Sequence, residues 1–381
     1  MLLSVESAMG ESATDRFKNI EIHGFVSQGY MKTTDNNYLG VTKGLGSFGF
    51  TEVGLNFTKS FTDELRTGIQ LYARQLGSTG SFNTNFRWFY LDYHPSDRFG
   101  FRFGRIKIPF GLYNEINDID AARAAILLPQ SIYPAESLDY LLAQNGFEGY
   151  GYTGTGPWGS LEYRLYAGTI AFPAVNTPAY PIQQTAGNVP FIVGTRLMWG
   201  TPIDGLRVGV SGQAVRLDTT LKLGTTTPVS VSFQFPVNML IGSAEYIHGD
   251  LSLAAEYSRW FAQFGNSTNT AIIPNFSVTN ERGYIMGAYR LARWFEPCLY
   301  YSMTYPNVDS REGIQNYQHD VSATLRFDIN QFWLLKTEAH YMIGTAALQS
   351  GLTGPGLNDG VPTASLAPNW WTFLVKTTGY F

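Results

Sequence analysis

The chain of 381 residues has a single cysteine, Cys298, which excludes an internal disulfide and a thiolate metal cluster. Only 15% of its residues are charged and the net charge is -4, a balance that separates neither two soluble domains from one large barrel nor one partner from another. No apolar run approaches the ~18 residues a membrane helix requires, which excludes a helical membrane protein. The five histidines, His23, His94, His248, His319 and His340, are scattered. His94 and His248 flank expected turns, and His319 and His340 fall on opposite faces of neighbouring strands. No nucleophile, base and orienting acid converge, and no metal-ligand spacing occurs. A glycine-rich phosphate loop ahead of a helix is also missing, because the glycines fall in strands and turns, where barrels use them to bend. No catalytic residue, cofactor, metal or nucleic-acid partner is expected.

What the chain does have is aromatic residues (26 Phe, 23 Tyr, 8 Trp) and 40 Gly, with a mean hydropathy of -0.10. A transmembrane barrel averages to such values, because lipid-facing apolar and lumen-facing polar residues alternate along each strand. The alternation is legible in place. Val53, Leu55, Phe57 and Phe61 share one face, while Glu52, Asn56 and Thr58 share the other. Leu65, Thr67, Ile69, Leu71 and Ala73 alternate against Arg66, Gly68, Gln70, Tyr72 and Arg74. Leu161, Tyr163, Leu165 and Ala167 oppose Glu162, Arg164 and Tyr166; Val321, Ala323, Leu325 and Phe327 oppose Asp320, Ser322, Thr324 and Arg326.

Tight polar turns at 62–64, 95–98, 156–159, 201–205, 248–250, 292–296 and 328–331 use residues suited to reversals. They define about seven hairpins, which with a first and a last strand give about sixteen strands. Longer connections are expected at 32–47, 75–83, 107–145, 171–190, 218–238, 262–280, 306–318 and 347–369. Short turns at one end and long loops at the other mark a transmembrane antiparallel β-barrel. The first nineteen residues lack a basic n-region and an apolar h-region. They read as an extension at a mature N-terminus, ahead of one barrel domain over 20–381.

The longest connection, KIPFGLYNEINDIDAARAAILLPQSIYPAESLDYLLAQN over 107–145, carries a helix-like piece from Asp118 to Leu128. So long a connection is uncommon unless it is functional, and the reading is that it folds inward.

The terminal segment WWTFLVKTTGYF, ending on Phe381, resembles the C-terminal strand of Gram-negative outer-membrane proteins, whose last aromatic residue is part of the barrel-assembly signal. The stretches GRIKIPFGLYNE (Gly104 to Glu115) and LLPQSIYP (Leu127 to Pro134) are similar to a segment in a broad group of bacterial porins, some related to phosphate-selective porins. This resemblance implies a bacterial outer-membrane porin, with membrane lipid around it, passive diffusion of small hydrophilic solutes or ions through it, and a trimeric habit.

On that reading the inward-parity arginines Arg66, Arg74, Arg102, Arg164, Arg196 and Arg207 form a basic wall, since an arginine facing lipid near the midplane costs roughly 2–4 kcal/mol. Opposite them the inserted loop carries Glu115, Asp118, Asp120, Glu136 and Asp139. Charges of opposite sign across a constriction would set up a transverse field; alternatively they pair locally and pin the loop. Arg123 meets a permeating anion or pairs with Asp120, and pairing is favoured. Arg105 and Lys107 share parity with Phe101 and Phe103, so they lie at the rim, snorkel or follow a bulge. Trp158, Trp199, Trp294 and Trp333 beside the short turns read as interfacial anchors, and Trp88 as lumen-facing. The alternative function is a barrel sheathing a multihaem electron carrier, a porin-cytochrome conduit, which needs an empty lumen. An outer-membrane hydrolase and a soluble β-sandwich adhesin are the remaining readings.

Overall fold

The structure is a computed structural model that describes residues 20–77, 80–137, 141–171, 182–224, 226–348, 357–358 and 365–381. The expected N-terminal extension and Asp139 lie outside the described residues. The strands are β1 (Ile20–Thr33), β2 (Ser47–Ser60), β3 (Leu65–Leu76), β4 (Asn85–Ser96), β5 (Phe99–Lys107), β6 (Ala143–Gly154), β7 (Ser160–Ile170) and β8 (Ile182–Gly200). They continue as β9 (Leu206–Leu223), β10 (Val229–His248), β11 (Leu251–Phe264), β12 (Phe276–Tyr289), β13 (Phe295–Tyr305), β14 (Gln318–Asn330), β15 (Trp333–Gly344) and β16 (Asn369–Tyr380). Each pairs with its sequence neighbours, and β1 closes on β16, so the sheet is a closed antiparallel barrel of sixteen strands.

Closure is made by both ends of the barrel domain. β1 and β16 run in register from Phe25↔Tyr380 to Thr33↔Thr372, and Gly24 and Phe381 exchange two backbone hydrogen bonds of 3.0 Å. The Phe381 ring lies over the open face of Gly24, where a Cβ would come within 2.5 Å of it.

The alternation read from the sequence is the inside and outside of this wall. Phe101, Phe103, Phe147, Ile285, Leu299, Phe373 and Val375 are exposed on the outer face, while Gln70, Glu148, Thr324, Lys336 and His340 are buried on the inner one. Trp158, Trp199, Trp294 and Trp333 are exposed at the short-turn end. Trp88 stacks on Tyr90 with ring centroids 5.3 Å apart on the inner face.

Two expected loops are partly strand. Residues 182–190 belong to β8, while 218–223 and 229–238 pair as β9 and β10, from Val229↔Leu223 onward. Their β-branched alternation (VSVSF) is a strand signal, and the polar residues within it are ordinary for strands that overrun the bilayer. The expected helix-like piece at 118–128 contains one 3₁₀ turn, Asp120–Ala122. The wall captures the following backbone: Glu338 accepts from the amides of Ile126 (2.6 Å) and Leu127 (2.9 Å), partners that compete with an intrahelical ladder.

Residues 108–137 enter the barrel. Their apolar side chains Ile108, Phe110, Leu128, Ile132 and Tyr133 are buried against inner-wall Tyr166, Ile192, Val215, Val237, Met239 and Ile241. Each such side chain, fully buried, contributes about 1.5–3 kcal/mol. A water-filled lumen would leave that inner-wall patch wet; the inserted segment is what makes it a core.

Candidate functional site

The inserted segment touches the wall on opposite sides. On the β8–β12 side, Arg196 donates to the Gly111 carbonyl (3.3 Å), Ser211 accepts from the Gly111 amide (3.2 Å), and Glu256 accepts from the Leu112 amide (2.9 Å) and from the Tyr133 hydroxyl. Ser131 donates to the Gly283 carbonyl (3.1 Å) and lies 2.8 Å from the Ser302 hydroxyl. On the β14–β16 side, Lys336 donates to the carbonyls of Asp120 (2.7 Å) and Arg123 (2.8 Å) and pairs with the Asp120 carboxylate at 3.2 Å. Arg326 donates to the Ala121 and Arg123 carbonyls at 3.0 and 3.2 Å. Thr378 donates to Asp120 at 2.8 Å. These contacts run from β8 round to β16, and Arg196 of β8 and Thr378 of β16 stand eight strands apart in the ring of sixteen, so the segment crosses the lumen. It is a plug rather than a fold along one wall. Among the cavities between the inserted segment and the wall, two measure about 30 Å³ each, room for one or two waters.

Two carboxylates of the plug are held ionised. Burial opposes ionisation of Asp120, but Lys336, Lys376 and Arg123 outweigh it and keep the carboxyl well below the usual range. Burial likewise opposes Glu115, and Arg164, Arg196 and Arg102 outweigh it.

The six inward arginines do not make one bare basic wall facing an acidic loop. Four belong to a ladder that alternates in sign along the β3–β8 wall. Arg66 pairs with Asp92 (2.8 Å), Asp92 with Arg102 (3.2 Å), Arg102 with Glu148 (3.1 Å) and Glu148 with Arg164 (2.7 Å). Arg164 continues to Glu162 (3.2 Å) and Glu115 (3.4 Å), which both reach Arg196 at 2.8 and 2.9 Å. The ladder follows one cross-strand row, Arg66↔Asp92↔Arg102↔Glu148. Tyr150 stiffens it, donating to Asp92 at 2.5 Å while the Arg102 guanidinium lies 4.3 Å from its ring centroid.

The other expected residues are elsewhere. Arg74 is buried at the long-loop end and donates to the plug at Ala135 (3.2 Å). Arg207 pairs with Glu245. Asp118 pairs with Lys107 (2.6 Å), which also donates to the Glu115 carbonyl (2.7 Å), so Lys107 turns inward where the chain leaves the wall. Arg123 pairs with Asp120 at 3.6 Å. The loop acids are therefore divided between opposite walls.

Several residues of this site escaped the sequence. Arg87 is buried with its guanidinium 4.4 Å from the Tyr72 ring centroid and 3.9 Å from Asp118. A bulge opposite Gln70/Leu71 turns both Arg87 and Trp88 inward, which no strict alternation finds. Lys376 pairs with Glu52. His340 sits between Asp320 (3.0 Å) and Glu338 (2.8 Å), orienting the carboxylate that holds the plug backbone. Lys336 and Glu338 were legible by parity with His340, four and two residues along the same face.

No family model and no curated protein matches the chain. Solved structures do match over nearly its whole length. The anion-selective porin of Comamonas acidovorans superposes with a TM-score of 0.61 at 12% identity, covering 95% of this chain and 99% of that one. A loop L8 deletion mutant of OmpT, an outer-membrane protein of Vibrio cholerae, gives 0.59 at 12% identity, with 95% and 99% covered. Salmonella typhi OmpF in complex with daunomycin gives 0.55 at 12% identity, with 95% and 97% covered. The fold is that of an outer-membrane porin. At this identity the likeness speaks for architecture: sixteen strands, short turns opposite long loops, an apolar exterior.

Proposed function

We propose that the chain is a bacterial outer-membrane channel for small hydrophilic solutes or ions, with residues 107–145 as its constriction and one barrel domain over 20–381 as its wall. The observation that carries this reading is the ladder. A continuous row of half-buried charges inside an apolar-jacketed barrel serves a hydrophilic solute, and Arg102, Arg164, Glu115 and Glu162 keep partial access to solvent, from 15 to 31% of their side chains. Passage is filtering by size and charge, with no covalent step. Arg66, Arg102, Arg164, Arg196 and Glu115 act as the lining, Arg207 stands toward the short-turn mouth, and Arg74, Asp118, Asp120 and Arg123 hold the plug. Alternating signs favour weak ion preference. A plug bonded to both sides of the lumen favours low conductance with brief openings. A sheath for an electron carrier requires an empty bore, and the chain's own segment stands across this one. Trimeric assembly belongs to the same proposal, on the strength of the porin fold.

The deciding experiment is single-channel recording of the purified barrel in a planar bilayer under a potassium chloride gradient. Discrete, small steps support the reading. A protein that folds, inserts and stays silent at all voltages, with or without the plug deleted, removes it. Native mass spectrometry of the detergent complex decides the assembly, where the mass of a single barrel would rule out the trimer.

A further inference from the structure

The outer wall carries a feature that a plain lipid-facing belt does not need. Arg259 is exposed on the outward face of β11, directly opposite Glu281 on β12, and Arg311 from the connection after β13 reaches over to the same carboxylate. Both guanidinium groups keep 46% of their side-chain surface open, and Glu281 is shared between the two, which leaves the trio with one net positive charge. Tyr257 donates to Glu281 at 2.6 Å, and Arg311 lies 4.5 Å from the Tyr305 ring centroid. A charged cluster on the lipid-facing parity at the long-loop end stands at the level of lipid headgroups, beside tyrosines of the kind that settle there.

Below it the wall is hollowed. A groove of about 610 Å³ runs across β10–β14, with Ala244, Ala255 and Gly287 on its floor and Leu253, Ile285 and Leu299 on its sides. Register places it on the rows Ala244↔Ala255↔Ile285 and Tyr246↔Leu253↔Gly287. Arg259 is four residues above Ala255 on the same strand, about 13 Å at 3.3 Å per residue. The single outward row between them holds Gly242, Tyr257 and Gly283. A Cβ at Gly242 would meet nothing within 4 Å, whereas Tyr257 stands beside Gly283, so the way from the groove toward the arginines lies over Gly242.

We propose that this face is a lipid-binding site, with a phosphate headgroup on Arg259 and Arg311 and one acyl chain in the groove beneath, taken from the leaflet at the long-loop end. Charge complementarity selects the anionic headgroup, and the apolar groove in line with it selects a chain-bearing ligand over a free anion. The inference rests on the barrel lying in a membrane and is independent of whether the lumen conducts.

The test is native mass spectrometry of the folded barrel in a nonionic detergent, titrated with dioleoyl phosphatidic acid and, separately, with dioleoylglycerol. Wild type is expected to retain one phosphatidic acid per chain with at least tenfold preference over dioleoylglycerol. Arg259→Ala with Arg311→Ala is expected to abolish the preference. Ala255→Trp, or Gly242→Leu as a second filling of the groove, is expected to weaken retention of both lipids at least fivefold. Equal retention of the two lipids by wild type, unchanged retention in the variants, or displacement by equimolar inorganic phosphate would each overturn the proposal. None of these side chains faces the lumen, so an unaltered conductance in the variants separates this result from the channel reading.

Discussion

Lys336 of β15 and Asp120 of the plug form an ion pair of 3.2 Å with both side chains withdrawn from solvent. The ammonium also binds the carbonyls of Asp120 and Arg123, so one wall residue fixes both the charge and the backbone of the plug's 3₁₀ turn. Asp120 is shared with Lys376 at 3.3 Å, which in turn holds Glu52. The plug is thereby tied to β2, β15 and β16 through a single carboxylate.

Removing the lysine leaves that carboxylate and two carbonyls short of donors. Breaking a buried pair by deleting one partner costs about 3–5 kcal/mol. Lys336→Ala is expected to lower the midpoint of plug release without unfolding the barrel, seen as earlier proteolysis within 108–142 and as larger or more frequent current steps. An unchanged cleavage pattern together with unchanged currents would show that the plug is held elsewhere.

Covalent locking addresses the same movement from the other direction. The Ser131 and Ser302 hydroxyl oxygens are 2.8 Å apart, a spacing that brings their Cβ atoms near the reach of a disulfide, whose Cβ atoms are about 3.5–4.5 Å apart. In a Cys298→Ser background, Ser131→Cys with Ser302→Cys is expected to oxidise readily. The oxidised form should lose the brief openings and recover them on reduction. Openings that persist in the oxidised protein would mean that solutes pass with the plug in place.

The sixteen strands, the short-turn end and the closing terminal aromatic could be read from the chain because a two-residue period repeats against unlike surroundings. The extent of the inserted segment's contact with the wall could not. Its signal was the apolar inner face of β8–β10, where Ile192, Val215, Val237, Met239 and Ile241 take positions a wet lumen would give to polar residues. All three of these strands were read partly as loop, and only Arg196 and Arg207 marked an inward face on two of them. Arg87 was hidden by a bulge, which inverts parity beyond it. The pairing of Arg102 with both Asp92 and Glu148 depends on a register that the alternation of each strand alone does not fix.

Acid should not open the plug until the solution is well below neutrality. The Asp120 carboxyl is held below its ordinary value in the folded protein by Lys336, Lys376 and Arg123, against the cost of burial. A group depressed in this way contributes stability that is present above the unfolded value, about 3.9, and is lost as pH falls through the folded one. Glu115, depressed by Arg164, Arg196 and Arg102, acts in the same sense. Conductance is therefore expected to hold steady from pH 7 to pH 5. A step between pH 5 and 7 would assign gating to another group.

The ladder makes a signed prediction about selectivity. Arg102 touches Asp92 and Glu148, whose side chains are fully buried behind it. With Arg102→Ala, Asp92 keeps Arg66 and Tyr150, and Glu148 keeps Arg164, so the barrel should survive at a loss of about 1.5–3 kcal/mol per charged hydrogen bond removed. One positive charge is then missing from a row that was balanced, and the local potential becomes negative. Reversal potential under a salt gradient is expected to move toward cation preference. Glu115→Gln removes a negative charge from the same row, between Arg164 and Arg196, and is expected to move it toward anion preference. Opposite shifts from the two variants, shrinking together as salt is raised to 1 M where the screening length falls to about 3 Å, place permeating ions beside the ladder. Shifts of the same sign, or none in either, would place the path elsewhere in the barrel.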